Sequence, residues 1–281
     1  MHALPRIPGY ELLKCLGGGQ LTTVFSARDC AADTACAVKV LRVEWEDQPT
    51  AIKLLQREAR AGLSIRHPHL VRMLHAHVTR PPYFLVMELL SGESLKRRLQ
   101  RDYRLDLPTA LWVARQTSEA LAALHRAGFV HGDLKPDNIR LVGDGTAVLI
   151  DLGFSHRPGE NTSFFEQGYI LGTADYLAPE LCDANPEADL SSDLFSFGVT
   201  LFEMLSGQRP YPQGSVEQTL RCHRSEPPAD IRASAGPLPP PLVNLVERLL
   251  ARRPADRPRA AAVVQQLVAL EIAAMRRRRS A

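Results

Sequence analysis

The chain has 281 residues, of which 45% are hydrophobic, 23% charged and 6% aromatic, too apolar a mixture for a disordered chain. Its formal charge is +3, yet Arg276, Arg277, Arg278 and Arg279 supply four of the positives; removing them leaves 30 basic against 31 acidic residues, a charge of −1. A near-neutral body argues against nucleic acid as a partner, which needs a basic face, and no run of about 18 apolar residues exists to form a transmembrane segment. The opening residues Met1 to Arg6 have no charged start leading into an apolar core, so no secretory signal is expected. Cys15, Cys30, Cys36, Cys182 and Cys222 are odd in number and form no CxxC pair. They predict neither a zinc site nor a disulfide framework and fit a reducing, cytoplasmic compartment.

Strands are predicted over 10–16, 22–28 and 34–42, separated by Gly17-Gly18-Gly19 and by a polar turn. Residues 47–65 have helical spacing, with Ile52, Leu55, Ala59 and Leu63 on one face. Strands follow over 70–78 and 83–87, on either side of Arg80-Pro81-Pro82. From Pro108 the pattern turns helical, and 110–127 reads as a helix closed by Gly128. Strands over 139–142 and 147–150 flank Gly143-Asp144-Gly145, a hairpin signal. The remainder reads as helices between proline-rich loops, the last over 260–275. The expected fold class is α+β, with a strand-rich N-terminal lobe, a helical C-terminal lobe and a seam near 87–92.

Leu16-Gly17-Gly18-Gly19-Gln20-Leu21-Thr22-Thr23-Val24 is a glycine turn between two strands. Residues without side chains let backbone N–H groups approach phosphate oxygens, although a plain hairpin turn has the same composition. Ala37-Val38-Lys39 places a lysine in a half-buried strand, where it needs a counter-charge; Glu58 on the following helix can supply one. By itself Lys39 reads rather as a solvated edge-strand residue. The centre of the chain is more specific. Val130-His131-Gly132-Asp133-Leu134-Lys135-Pro136-Asp137-Asn138-Ile139 sits between a helix and a short strand, and Ile150-Asp151-Leu152-Gly153 lies at a strand end. Asp133, Asn138 and Asp151 offer one base and two oxygen ligands for a hard cation. Any one of them alone would be an ordinary turn former.

Taken in order with Lys39, Glu58 and the glycine turn, these residues resemble the eukaryotic-type serine/threonine protein kinase family, closest in style to bacterial members, over about the whole chain. Gly172-Thr173-Ala174-Asp175-Tyr176-Leu177-Ala178-Pro179-Glu180 resembles the end of the activation segment. Asp193-Leu194-Phe195-Ser196-Phe197-Gly198 resembles the start of the central helix, and Arg257 matches the arginine that pairs with Glu180. The resemblance implies a bilobal fold: a small antiparallel β-rich lobe with one helix to about residue 87, a hinge over 88–92 and a larger, mostly helical lobe over 93–273. The kinase domain would span 8–281, with a basic tail over 274–281.

It also implies ATP and Mg2+ (with Mn2+ as the alternative), and an unidentified protein substrate. The implied catalytic residues are Asp133, which takes or orients the hydroxyl proton, Lys135, which neutralises the moving phosphoryl, Lys39 and Glu58. The implied nucleotide set is Leu16, Gly17, Gly18, Gly19, Val24, Ala37, Lys39, Met87, Glu88, Leu90 and Asn138, and the metal set is Asn138 and Asp151. Lys135 with Thr173 fits the serine/threonine branch.

Four positions depart from the family pattern. Thr22 stands at the third glycine and should stiffen the loop. Arg140 takes the place of an aliphatic floor under adenine, where its stem can pack with the guanidinium at the rim. Gly62 replaces an apolar residue of the spine joining the lobes, through drift or a looser helix. Gly132 replaces the arginine that receives an activation-loop phosphate. A phosphate on Thr162 or Ser163 would then have only exposed cations such as His156 or Arg157 for partners, worth about 0–1 kcal/mol. Activity is therefore expected not to depend on loop phosphorylation. Two rival functions share these motifs: a pseudokinase scaffold, against which the retained Lys39, Glu58, Asp133, Asn138 and Asp151 argue, and a small-molecule phosphotransferase, which would lack the 172–180 segment and Lys135-Pro136. The run Arg276–Arg279 serves as a positive helix end that complements the dipole, or as a weak contact with an anionic membrane surface.

Overall fold

The computed structural model describes residues 4–143, 145–161, 171–182, 188–212 and 214–279. Strands β1 (Tyr10–Gly18), β2 (Thr22–Asp29), β3 (Ala35–Leu41), β4 (Met73–His77) and β5 (Phe84–Glu88) form one antiparallel sheet in the order β1-β2-β3-β5-β4. Alternation divides its side chains between two faces. Phe25, Ala27, Cys36, Val38, Val40, Phe84 and Val86 cluster on one face. On the other, Leu41 and Leu85 join Ala51, Leu55 and Ala59 of α1 (Pro49–Ser64). Lys39 pairs in register with Val24 and Leu85, and Ala37 with Met87, so these residues share the α1 side of the sheet.

The second lobe is helical: α2 (Leu95–Asp102), α3 (Leu107–Arg126), α4 (Leu190–Ser206), α5 (Val216–Ser225), α6 (Ile231–Ala235), α7 (Pro240–Leu249) and α8 (Ala260–Arg279). A small antiparallel sheet of β6 (Glu93–Ser94), β7 (Ile139–Val142) and β8 (Thr146–Leu149) accompanies the helices. Asp106 caps α3 by accepting from the Thr109 N–H at 3.1 Å, a bond that satisfies an otherwise orphaned donor. After α3 the chain turns at Gly128, φ +78°, as the sequence predicts. Helix α4 runs through the centre of the lobe, with Phe195, Phe197, Val199, Leu201 and Met204 all fully buried.

Three elements differ from the sequence reading. No element is predicted over 93–106, yet β6 and α2 occupy most of it. Only Leu95 and Leu99 of α2 are buried, too few to set a period. The strand expected over 70–78 begins at Met73, because Leu70 and Val71 join the lobes instead: the Val71 N–H donates to the Leu149 carbonyl at 2.9 Å. The final helix continues to Arg279 rather than ending at 275, so the basic run begins as helix.

Candidate active site

Lys39 is 7% exposed and its ammonium is shared by two carboxylates. Nζ donates to Glu58 Oε1 and Oε2, each at 2.8 Å, and to Asp151 Oδ1 at 2.7 Å. The sheet register aims Lys39 at α1, and the left-handed backbone at Asp151, φ +64°, turns its carboxylate back towards the lysine. Gly153 closes against the trio: a Cβ there would lie 3.4 Å from both Lys39 Nζ and Glu58 Oε2. Burial opposes charge on all three groups. The two carboxylates outweigh it at Lys39 and raise its pKa. Lys39 outweighs it at Asp151, holding that carboxyl down at about 2. At Glu58 burial prevails and pushes the carboxyl up, because one ammonium cannot fully serve two anions.

The second cluster surrounds Asp133, which is 7% exposed. Its Oδ2 accepts from Lys135 Nζ at 2.7 Å and from Asn138 Nδ2 at 3.1 Å; its Oδ1 accepts from Thr173 Oγ1 at 2.7 Å. Asn138 Nδ2 also donates to the Asp133 carbonyl at 2.8 Å, and the Ile150 N–H donates to the Asn138 carbonyl at 2.8 Å. That last bond links this cluster to Asp151 at the end of β8. With its amide nitrogen committed to Asp133, Asn138 presents a carbonyl oxygen as ligand, and Asp151 is ionised. This oxygen-only donor pair fits a hard divalent cation.

Asp193 of α4 holds the backbone of the loop that carries Asp133. It is 2% exposed and accepts from the His131 N–H at 2.7 Å, the Gly132 N–H at 2.9 Å and His125 Nε2 at 2.9 Å. Gly132 has φ +84°, and a Cβ there would meet the Phe154 carbonyl at 2.7 Å. The sequence places Asp193 in a central helix but does not disclose these bonds, which form across more than sixty residues of chain.

The glycine turn is open to solvent from 15 to 20. Gly18 is the glycine that packing requires there, since its Cβ would fall 2.5 Å from the Thr22 carbonyl. That carbonyl accepts from the Gly19 N–H at 3.0 Å, so Thr22 closes the turn through its backbone. Leu16 is exposed and Val24 half-buried; Ala37 is buried beside Lys39, with Met87 opposite it. Glu88 ends β5, with its N–H on the Arg72 carbonyl and Oε1 on the Arg72 N–H, and Leu90 follows in the connection between the lobes.

Two expectations, at Arg140 and His156, are corrected, and the surroundings of Gly62 favour neither drift nor a looser helix. The Arg140 guanidinium does not lie wholly at the rim: Nε is enclosed, without a hydrogen-bond partner among the described residues. Gly62 leaves no gap, because Met73 Cε sits 2.7 Å from where its Cβ would be. His156 is no exposed cation; it is 2% exposed, burial pushes its pKa down, and Nδ1 lies 2.8 Å from the Phe154 carbonyl. Thr162 and Ser163 lie outside the described residues.

A family model for the protein kinase domain matches residues 10–268. The chain is similar to the serine/threonine-protein kinase PknA of Mycobacterium tuberculosis, with 33% identity over 256 residues, 88% of this chain and 58% of that protein. PknD of the same organism is 30% identical over 249 residues, 88% and 37% respectively. The serine/threonine-protein kinase drp72 of Corynebacterium efficiens is 33% identical over 255 residues, 89% and 49%. The chain thus spans about half the length of the curated relatives it matches.

Proposed function

The chain belongs to the protein kinase family, and on that premise we propose that it transfers the γ-phosphoryl group of ATP to serine and threonine hydroxyls of protein substrates in bacterial signalling. The observation that carries this reading is the completeness of the cleft: Lys39, Glu58, Asp133, Asn138 and Asp151 are all present and hydrogen-bonded into two adjoining clusters.

In the proposed reaction the substrate hydroxyl oxygen attacks the γ-phosphorus, the bond to the bridging oxygen breaks and ADP departs. Asp133 receives or orients the hydroxyl proton. Lys135, 2.7 Å from Asp133, offsets negative charge on the moving phosphoryl. Lys39, steadied by Glu58, holds the α- and β-phosphates, and Gly17 and Gly19 cover them with backbone. Asp151 and Asn138 would hold Mg2+, or Mn2+ in its stead, which supplies charge neutralisation at the phosphates. Adenine is assigned to the pocket of Leu16, Val24, Ala37 and Met87, with the backbone of Glu88 and Leu90 along its edge. Each role is positioning or electrostatics. The lobes are assigned to 8–87 and 93–273, joined by 88–92. All five cysteines are free, which supports a reducing, cytoplasmic setting.

Purified protein incubated with labelled ATP, Mg2+ and a generic protein substrate, beside free aminoglycosides, tests the reading. Label on protein serine and threonine is expected. Label on the aminoglycoside, or no transfer with nucleotide still bound, overturns it in favour of a small-molecule phosphotransferase or a scaffold.

A further inference from the structure

A second ionic cluster, built around one buried arginine, lies on another face of α1, and phosphoryl transfer makes no direct use of it. Arg57 is 5% exposed and precedes Glu58, so its side chain leaves the helix about 100° away from that carboxylate. Nη1 donates to Asn161 Oδ1 at 2.7 Å and Nη2 to the Glu160 carbonyl. Three residues on, Arg60 Nη2 reaches both carboxylate oxygens of Glu160, at 2.8 and 2.6 Å. Arg57 Nε lies 3.9 Å from Glu160 Oε2, which also accepts from the Arg157 N–H at 2.9 Å.

The cluster reaches the catalytic loop as well. The guanidinium carbons of Arg60 and Arg157 lie 5.6 and 5.2 Å from the ring centroid of Phe129, which is 1% exposed. The next residue, Val130, exchanges backbone hydrogen bonds with His156. Thus α1 and the segment after Asp151 meet at the Glu160 carboxylate, while Phe129, which leads into the loop of Asp133, packs against the Arg60 and Arg157 guanidiniums beside it. Burial works against the charge of Glu160, but Arg60, the Arg157 N–H and Arg57 outweigh it and hold the carboxyl below its ordinary range. The anion is therefore permanent at neutral pH.

We propose that Glu160 is an internal counter-ion that locks α1 where Glu58 meets Lys39, making Arg57, Arg60 and Glu160 positioning residues that set activity with no phosphate on the segment. The activity half of this proposal rests on the kinase reading; the conformational half does not.

Glu160→Gln keeps the shape and removes the charge. On phosphatase-treated protein, kcat should fall about tenfold, equivalent to about 1.4 kcal/mol, with KM for the protein substrate unchanged. Amides of α1 should exchange hydrogen faster while those of α4 keep the parent rate. Arg60→Gln should behave alike, and the double variant should be no worse than either single one, as coupled partners require. Parent-like kcat and α1 exchange in Glu160→Gln would overturn the proposal. So would fully additive losses, or an acceleration spread over α4, which marks general destabilisation. If the parent transfers no phosphate, the kinase reading fails and the exchange comparison still decides the lock.

Discussion

Asp133 receives hydrogen bonds from Thr173, Lys135 and Asn138 at once, and a carboxylate with that many donors has little freedom of direction. A group that must meet an incoming hydroxyl needs that fixity. Asp133→Asn should keep the fold and ATP binding while turnover falls by on the order of 10²–10⁴. Rates measured beside an ATP titration check this, and a parent-like rate would show Asp133 to be misassigned. Lys39 serves two carboxylates, so the two halves of the pair are not equivalent. Lys39→Met should remove most activity, because the phosphates lose their clamp and both the buried Glu58 and the half-buried Asp151 lose their cation. Glu58→Gln should remove less, since Asp151 still holds Nζ at 2.7 Å. If Lys39→Met changes neither nucleotide affinity nor rate, the nucleotide binds elsewhere.

At the scale of elements, α1 and β4 share one packing position. A side chain at 62 would overlap Met73, whose Cε and Cβ would lie 2.7 and 3.1 Å from the new Cβ. The flexible methionine fills from the strand the space that an apolar residue on the helix would otherwise occupy. Gly62→Leu should therefore destabilise by about 1–3 kcal/mol through overpacking, and adding Met73→Ala should recover part of that loss. Urea denaturation of the four proteins checks the coupling; losses that simply add would show two independent sites.

At the scale of the whole molecule, the large lobe is tied together by an ion pair whose cation is fully buried and whose anion is 15% exposed. Arg257, between α7 and α8, has a fully buried side chain and grips Glu180 with two bonds of 2.7 Å. Its remaining donors reach the carbonyls of Ser191, Ala251 and Arg252, and Ser192 Oγ donates to Glu180 at 2.8 Å. The pair thus anchors the 3-10 turn Pro179–Cys182 to both α4 and the C-terminal helices. Arg257→Met should cost about 3–5 kcal/mol, because it leaves a largely buried carboxylate without its cation. Arg257→Lys should not restore it, since an ammonium cannot form the fork. Chemical denaturation checks both, and a loss below about 1 kcal/mol would show that the pair contributes no more than an exposed one.

Strands β1 to β3, helix α1 and the β7–β8 pair were legible in the sequence, because alternation and helical spacing are local properties of the chain. The residues of the cleft were legible for another reason: the chemistry needs particular side chains, and their order survives as motifs. The short α2, with two buried leucines, left no period to read. Tertiary structure alone decided that Met73 fills the place of a side chain at 62, that Asp193 holds the backbone of Gly132, and that Arg57 and Arg60 meet Glu160 about a hundred residues away. An arginine beside Glu58 is chemically the same in solvent or in a core. Which of the two it occupies depends on what the rest of the chain brings against it, and only folding brings those partners within hydrogen-bonding distance.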